Sequence, residues 1–244
     1  MRPRDAADLA GSAGVGAWAA FTVVGLVVTG GRGAPLPVDR DLLSWSVGHR
    51  PEVAVAVARG LTATGTGVVP YVLVALAGVL LGRTARRRVT AVTLGVCCLA
   101  LGQVVRYGVM ELIARPRPPL QGWATVATGW SFPSGHTTTS ALTAGLVILA
   151  TLLRAPRGRT ALCLLVGCWG ALVGLTRVYL GVHWFTDVVG GWLFAAGWLG
   201  LCLCAAVRWL PAGVLDGLTG PAGGREAEPA PRDPPGGQRR SPSV

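Results

Sequence analysis

Six apolar stretches dominate this sequence, at residues 13–29, 67–82, 89–108, 136–153, 160–176 and 184–207. Each is roughly 16 to 24 residues long, near the ~20 residues that an α-helix needs to cross the hydrocarbon core of a bilayer. Only 14% of the residues are charged, whereas soluble domains usually carry about a quarter. The pattern therefore predicts an all-α integral membrane protein, a bundle of six transmembrane helices within residues 1–210.

Two segments outside the apolar stretches have a composition of their own. Residues 39–61 mix charged and apolar positions at roughly helical spacing, which predicts a helix in the membrane interface or on the protein surface. Residues 211–244 are rich in Pro, Gly and Arg, a composition that cannot bury a hydrophobic core. We expect these last residues to form a disordered cytoplasmic tail.

Arginine indicates the orientation in the membrane. The connections GRTARRR (82–88) and RAPRGR (154–159) contain no acid, and connections rich in basic residues stay on the cytoplasmic side. Many of the arginines behind the formal charge of +11 lie between apolar stretches, where they serve to orient the protein in the membrane. The positive charge therefore does not indicate a nucleic acid as a partner, and none is expected. The prediction is a multi-pass protein of the cell membrane.

Several polar residues collect at the opposite, non-cytoplasmic ends of the predicted helices. The third and fifth stretches end on that side, and the fourth and sixth begin there. Because successive crossings alternate in direction (the parity of the crossings), six side chains come to the same side: Arg117, Ser134, His136, Arg177, His183 and Asp187. Ionisable residues at membrane depth are costly and usually functional. Snorkelling arginines, and a polar pair that only joins two helices, are the structural alternatives.

The histidines suggest acid–base and nucleophilic chemistry. His183 and Asp187 are four residues apart, a spacing that brings two side chains together on a helix. A carboxylate beside an imidazole fixes its tautomer and raises its basicity, so His183 is a candidate nucleophile toward phosphorus. His136 is a candidate donor of the proton to the leaving oxygen.

The other polar residues suggest a phosphate-binding site. Ser134 is a natural N-cap for the fourth helix, and Gly135 lets the backbone approach a ligand closely. A helix N-terminus offers free N–H groups to an anion, and the guanidinium groups of Arg117 and Arg177 match phosphate oxygens. Because the sequence offers no cluster of carboxylates, we expect no metal and no other cofactor, and the arginines must stabilise the charge.

Three motifs resemble the signatures of the type 2 phosphatidic acid phosphatase superfamily, which is related to the vanadium haloperoxidases. They are RPRP (115–118), PSGH (133–136) and TRVYLGVHWFTD (176–187). The resemblance implies a membrane lipid phosphatase that works without metal through a phosphohistidine intermediate.

The resemblance also implies a role for each matching residue. His183 would be the nucleophile, Asp187 its orienting partner and His136 the general acid. The implied phosphate-binding residues are Arg117, Ser134, Gly135 and Arg177. The implied substrates are lipid phosphates or pyrophosphates such as polyprenyl diphosphate, phosphatidylglycerophosphate or phosphatidate, cleaved at the non-cytoplasmic face.

The chain departs from the family pattern at two positions. Thr176 stands where Ser is usual, and Met110 stands where the first motif has a lysine. Arg106 lies four residues before Met110, on the same face of the third helix, and is a candidate replacement for the missing cation. Alternatively, Arg106 pairs with Glu111 or snorkels, and the site works with fewer cations.

Three other functions match parts of the same pattern. One is a non-catalytic lipid-phosphate binding or transport protein of the same fold, which the missing lysine favours. Another is a lipid phosphotransferase, which moves phosphate onto a second acceptor. Haloperoxidase chemistry of a soluble relative is the third, and the six apolar stretches argue against it.

Overall fold

Eight α-helices make up the described part of the chain. The computed structural model describes residues 3–154 and 157–210, with side chains from residue 8 onwards, and it contains no strand in those ranges. The helices are α1 Pro3–Gly30, α2 Pro37–Gly48, α3 Glu52–Ala63, α4 Val68–Leu81, α5 Ala85–Ile113, α6 Gly135–Arg154, α7 Arg159–Tyr179 and α8 Phe185–Trp209. The prediction of an all-α protein is confirmed. The expected tail at 211–244 lies outside the described residues.

Five helices are long and apolar enough to cross a membrane: α1, α5, α6, α7 and α8. α4 has only 14 residues, about 21 Å at 1.5 Å per residue, which is too short for a span. It follows α3 at a break of at most four residues, with a bend of 53°. The prediction of six spans is confirmed with this bent pair as the second span. The helix predicted over 67–82 is present as α4, but the expectation that it crosses the membrane by itself is wrong.

The single helix predicted over residues 39–61 is also wrong, because this segment forms α2 and α3. α3 begins directly after Pro51, which is its N-cap. Proline has no N–H to donate into a helix and restricts the residue before it to extended conformations. α2 packs against α7 and α8, so it covers the end of the bundle at which those two helices meet.

Small residues let α1 and α8 pack closely in antiparallel directions. A Cβ placed on Gly14 would lie 3.0 Å from the Cα of Gly200, and Gly197 accommodates the ring of Trp18. Small residues at such interfaces let helix backbones approach within van der Waals contact inside a membrane.

An aromatic cluster joins the same two helices to the start of α6. The rings of Phe21 and Phe132 stack with centroids 5.7 Å apart, and Phe21 meets Phe194 edge-on at the same distance. Phe132 is fully buried. Because Phe132 lies three residues before Gly135, this packing holds the N-terminus of α6 in place.

The antiparallel order of the long helices brings four helix ends together. α5 and α7 end, and α6 and α8 begin, at one end of the bundle, as the parity of the apolar stretches predicts. The arginine-rich connection after α4 lies at the opposite end.

Candidate active site

A polar cavity of about 510 Å³ opens at the end of the bundle where those four helix ends meet. Its walls come from α4, α5, α6 and α7, and from the connections before α4, before α6 and after α7. The basic side chains that line it are Arg106, Arg117, His136, Arg177 and His183. No carboxylate is among the described residues that line it, so the cavity suits an anion.

His183 and Asp187 are in contact, although His183 does not lie on a helix as the spacing suggested. His183 sits in the turn between α7 and α8, and α8 begins at Phe185. The Nδ1 atom of His183 lies 3.3 Å from Oδ2 of Asp187, and the backbone N–H of Trp184 donates to the same oxygen at 2.8 Å. The first turn of α8 thereby places the carboxylate behind the imidazole.

The environment of His183 keeps its imidazole neutral. Burial lowers the pKa of His183 to about 4, against the opposing effect of the hydrogen bond to Asp187. The carboxylate holds the proton on Nδ1, so Nε2 carries the lone pair. A nitrogen nucleophile needs a free lone pair, which the neutral imidazole has. His183 also lines the cavity.

Arg117 is fixed beside Nε2 of His183. Its Nη1 lies 2.9 Å from that nitrogen and donates to the carbonyl of Val182 at 2.8 Å. The rest of the guanidinium donates to the carbonyls of Thr128, Gly129 and Trp130. Five contacts hold a charged group beside Nε2 of His183, the candidate nucleophile.

Arg177 approaches the same cavity from the last turn of α7. Its side chain is 2% exposed, and Nη1 donates to Oγ1 of Thr62 on α3 at 3.1 Å. The Nε atom has no hydrogen-bond partner among the described residues. A buried donor without a partner is costly, so this side chain is held at the wall of the cavity with one donor unsatisfied.

The N-terminus of α6 forms another wall of the cavity. Gly135 and His136 line it, and Nε2 of His136 lies 3.4 Å from Oγ1 of Thr66. Ser134, which was expected to contact phosphate, is fully buried and does not line the cavity. Its hydroxyl oxygen instead accepts a hydrogen bond from Oγ1 of Thr137 at 2.9 Å.

Arg106 extends along α5 into the cavity. Its Nη1 lies 3.2 Å from the sulfur of Met110. A Cβ on Gly135 would lie 3.4 Å from the guanidinium carbon of Arg106. The charge of Arg106 thus lies at the N-terminus of α6, next to the place where the sequence lacks a lysine.

Two further residues, Arg115 and Asp39, support the site from behind. Both are fully buried. Nη1 of Arg115 lies 2.6 Å from Oδ1 of Asp187, and Nη2 lies 2.8 Å from Oδ2 of Asp39. Sequence reasoning did not place Asp39 at the site, and it considered Arg115 only as another possible replacement for the missing lysine. The only signal was Arg115's place in the RPRP motif, and nothing in residues 39–61 indicated a buried carboxylate.

The residues do not form a recognisable metal site. In the described ranges, no group of three or more His, Cys, Asp or Glu side chains is arranged to hold a metal ion. The arrangement offers two histidines and three guanidinium groups around one cavity, and guanidinium groups pair well with phosphate oxygens.

These features define a polytopic, all-helical membrane protein with a cationic cavity at one end of its helix bundle. The sequence model of the PAP2 superfamily matches residues 90–210, a region that holds all three motifs. Through this region the chain belongs to the PAP2 superfamily, as its motifs predicted.

Individual relatives match shorter parts of the chain. A Sulfolobus acidocaldarius protein named undecaprenyl-diphosphatase is 31% identical over 47% of this chain and 52% of its own length. Phosphatidylglycerophosphatase B of Escherichia coli K12 is 38% identical over 39% of this chain and 34% of its own length. The chain thus spans about half the length of the first relative and a third of the second.

A solved structure extends the similarity to most of the fold. The crystal structure of a transmembrane PAP2-type phosphatidylglycerolphosphate phosphatase from Bacillus subtilis superposes with a TM-score of 0.60. The match covers 80% of this chain and 94% of the other, at 24% sequence identity. At this identity the similarity supports the fold of the chain.

Proposed function

We propose that this protein is a membrane phosphohydrolase that cleaves a lipid phosphate or pyrophosphate monoester through a phosphohistidine intermediate. One observation carries the proposal: His183 lines the cavity, with its Nδ1 on Asp187 and a guanidinium of Arg117 beside its Nε2. A neutral, oriented imidazole among cations is suited to attack a phosphorus atom.

Two steps account for the reaction. In the first, Nε2 of His183 forms a bond to phosphorus and the bond from phosphorus to the leaving oxygen breaks. His136, protonated beside the negatively charged phosphate, gives its proton to that oxygen and becomes neutral. In the second, a water molecule attacks the phosphohistidine, His136 takes its proton, and the Nε2–phosphorus bond breaks to release phosphate. Asp187 stabilises the charged imidazole between the two steps.

Phosphate binding in this scheme uses the cations of the cavity. Arg117 and Arg177 would hold the phosphoryl oxygens together with the free N–H groups at Gly135. Arg106 would add a third guanidinium. Ser134 would act through the helix start that it forms, since its hydroxyl is buried against Thr137.

The substrate class follows from the chemistry of the cavity and the names of the relatives. A cationic cavity at the end of a transmembrane bundle suits an anionic headgroup whose apolar tail stays in the bilayer. The two relatives carry the names of a diphosphatase of undecaprenyl diphosphate and a phosphatase of phosphatidylglycerophosphate. We propose a substrate from these groups or phosphatidate.

We further propose that the cavity faces the non-cytoplasmic side. The arginine-rich segment that joins α4 to α5 continues into the first turn of α5, where Arg86, Arg87 and Arg88 are exposed at the opposite end of the bundle. Connections of this composition stay in the cytoplasm.

The decisive experiment is release of inorganic phosphate from a panel of lipid phosphates by the purified protein in detergent. We expect wild-type protein and His49→Ala to release phosphate and His183→Ala to be inactive. His49 is the matched control, because it is exposed and outside the cavity. A wild-type protein that binds these lipids without turnover would instead be a binding or transport protein, and transfer of the phosphate to a second acceptor would identify a phosphotransferase.

A further inference from the structure

A chain of three buried charged groups connects α2 to the proposed nucleophile. Asp39, Arg115 and Asp187 are all fully buried. Arg115 lies between the two carboxylates, 2.8 Å from Asp39 and 2.6 Å from Asp187. The three residues come from three separate parts of the fold: α2, the segment after α5 and the first turn of α8.

Thr186 makes the connection between the carboxylates rigid. Its backbone N–H donates to Oδ1 of Asp39 at 2.9 Å, and its hydroxyl lies 2.8 Å from Oδ2 of Asp39 and 2.7 Å from Nη1 of Arg115. The Asp39 carboxylate therefore accepts hydrogen bonds from Thr186, the residue directly before Asp187. Any movement of α2 would displace the first turn of α8 and the carboxylate that orients His183.

The charges of the three groups matter as much as their positions. Asp187 shares its two oxygens between Arg115 and His183. Alone, the charge of Arg115 would cancel that of Asp187 and leave nothing to stabilise a positively charged imidazole. Asp39 adds a second negative charge, so the two carboxylates and the one guanidinium together carry one net negative charge. Buried charges are weakly screened, so His183 experiences this balance.

We propose that Asp39 is a positioning residue for the reaction, which acts through Arg115 to aim the Asp187 carboxylate at His183. Its charge also leaves the group of Asp39, Arg115 and Asp187 with one net negative charge. This inference rests on the proposed phosphohydrolase activity. Asp39 does not line the cavity and is not expected to touch the substrate. A purely structural ion pair between α2 and α8 is the competing explanation.

The test compares four forms of the full-length protein in detergent: wild type, Asp39→Asn, Asp39→Glu and Asp41→Asn. Phosphate release from the lipid substrate gives kcat and KM at each pH. Asn keeps the shape of the Asp39 side chain and removes its charge, whereas Glu keeps the charge. Asp41 is the matched control, because it lies on the same helix with an exposed side chain.

For Asp39→Asn we expect kcat to fall about 10- to 100-fold, by analogy with the groups that orient metal-binding histidines, with KM unchanged. The acid limb of the profile, which is the fall of kcat at low pH, should move to lower pH in this variant. The reason is that losing the negative charge of Asp39 disfavours the protonated form of His183. The other groups that face His183 stay in place, namely Asp187 from α8, Arg117 from the connection after α5, Arg177 from α7 and His136 from α6. Asp39→Glu should keep the acid limb of wild type, and Asp41→Asn should match wild type throughout.

A wild-type kcat and acid limb in folded Asp39→Asn would overturn the inference, and so would a loss confined to thermal stability. If Asp39→Asn does not yield a monodisperse protein, Thr186→Val serves instead. This variant keeps all three charges and removes only the hydroxyl that contacts Asp39 and Arg115. It should lower kcat with the acid limb unmoved, and a wild-type kcat would overturn the inference. Inactive wild-type protein would instead refute the proposed function itself.

Discussion

The guanidinium carbon of Arg106 lies 3.4 Å from the position that a Cβ would occupy on Gly135, the first residue of α6. An arginine side chain therefore packs against the N-terminus of the helix that lines the proposed phosphate-binding site. The same guanidinium contacts the sulfur of Met110, the position where the family motif has a lysine. This contact motivates the first prediction.

Arg106→Ala is expected to cost about 2–4 kcal/mol of transition-state stabilisation, the scale of removing one preorganised donor. Adding Met110→Lys to that variant should restore much of the loss, because the new ammonium group would start one helical turn away on the same face. The measurement is kcat/KM for phosphate release. Arg86→Ala is the matched control, since Arg86 is exposed at the far end of α5. Activity of Arg106→Ala near that of the control would exclude Arg106 as the replacement cation.

The proposed acid role of His136 predicts a dependence on the leaving group. His136→Ala should lose most activity toward a lipid phosphate, whose alkoxide must be protonated, and much less toward an aryl phosphate with an acidic phenol. Parallel kcat/KM measurements with both substrates test this. An equal loss with both substrates would assign His136 to binding rather than proton transfer.

The buried environment of His183 predicts the acid limb of the activity profile. Burial lowers its pKa to about 4 from the ordinary 6.5, and protonation removes the attacking lone pair. The loss of kcat/KM that comes from protonating His183 should therefore be absent as the pH falls through 6.5 and appear only near pH 4. Between pH 6.5 and pH 4, His183 is protonated in the unfolded chain but not in the folded protein. The free energy of unfolding should therefore also decrease as the pH falls through this interval. Melting temperatures at each pH separate the two effects, and an acid limb near 6.5 in the folded protein would contradict the prediction.

The orientation predicts which engineered cysteines react from outside intact cells. In a background without the six native cysteines, a cysteine at Val126, which is 84% exposed near the cavity, should react with an impermeant reagent. A cysteine at Arg87, exposed at the other end of the bundle, should react only after the cells are opened. The reverse pattern would place the cavity in the cytoplasm.

The close packing of α1 against α8 predicts the effect of adding one methyl group. Gly14→Ala should lower stability by about 1–3 kcal/mol, because the new Cβ would press on the backbone of Gly200 in a tightly packed interface. Gly16→Ala is the matched control, since a Cβ there meets nothing within 4 Å. Thermal unfolding in detergent measures both variants. Equal melting temperatures would show that the interface can relax.

The sequence by itself determined the long helices and the end of the bundle at which the polar motifs meet. Apolar length is a local property of the chain, and the parity of the crossings places Arg117, His136, Arg177 and His183 on one side before any packing is known. The cavity contains all four of these residues.

Only the tertiary structure decided which residues support His183, the proposed nucleophile. Asp39 and Arg115 are 76 residues apart, and Arg115 and Asp187 are 72 apart. No periodicity connects positions at such separations, because the contact depends on how α2 is folded over the end of the bundle. The break between α3 and α4 likewise escaped prediction, since hydrophobicity along a chain gives the length of an apolar run and not the direction in which its backbone turns.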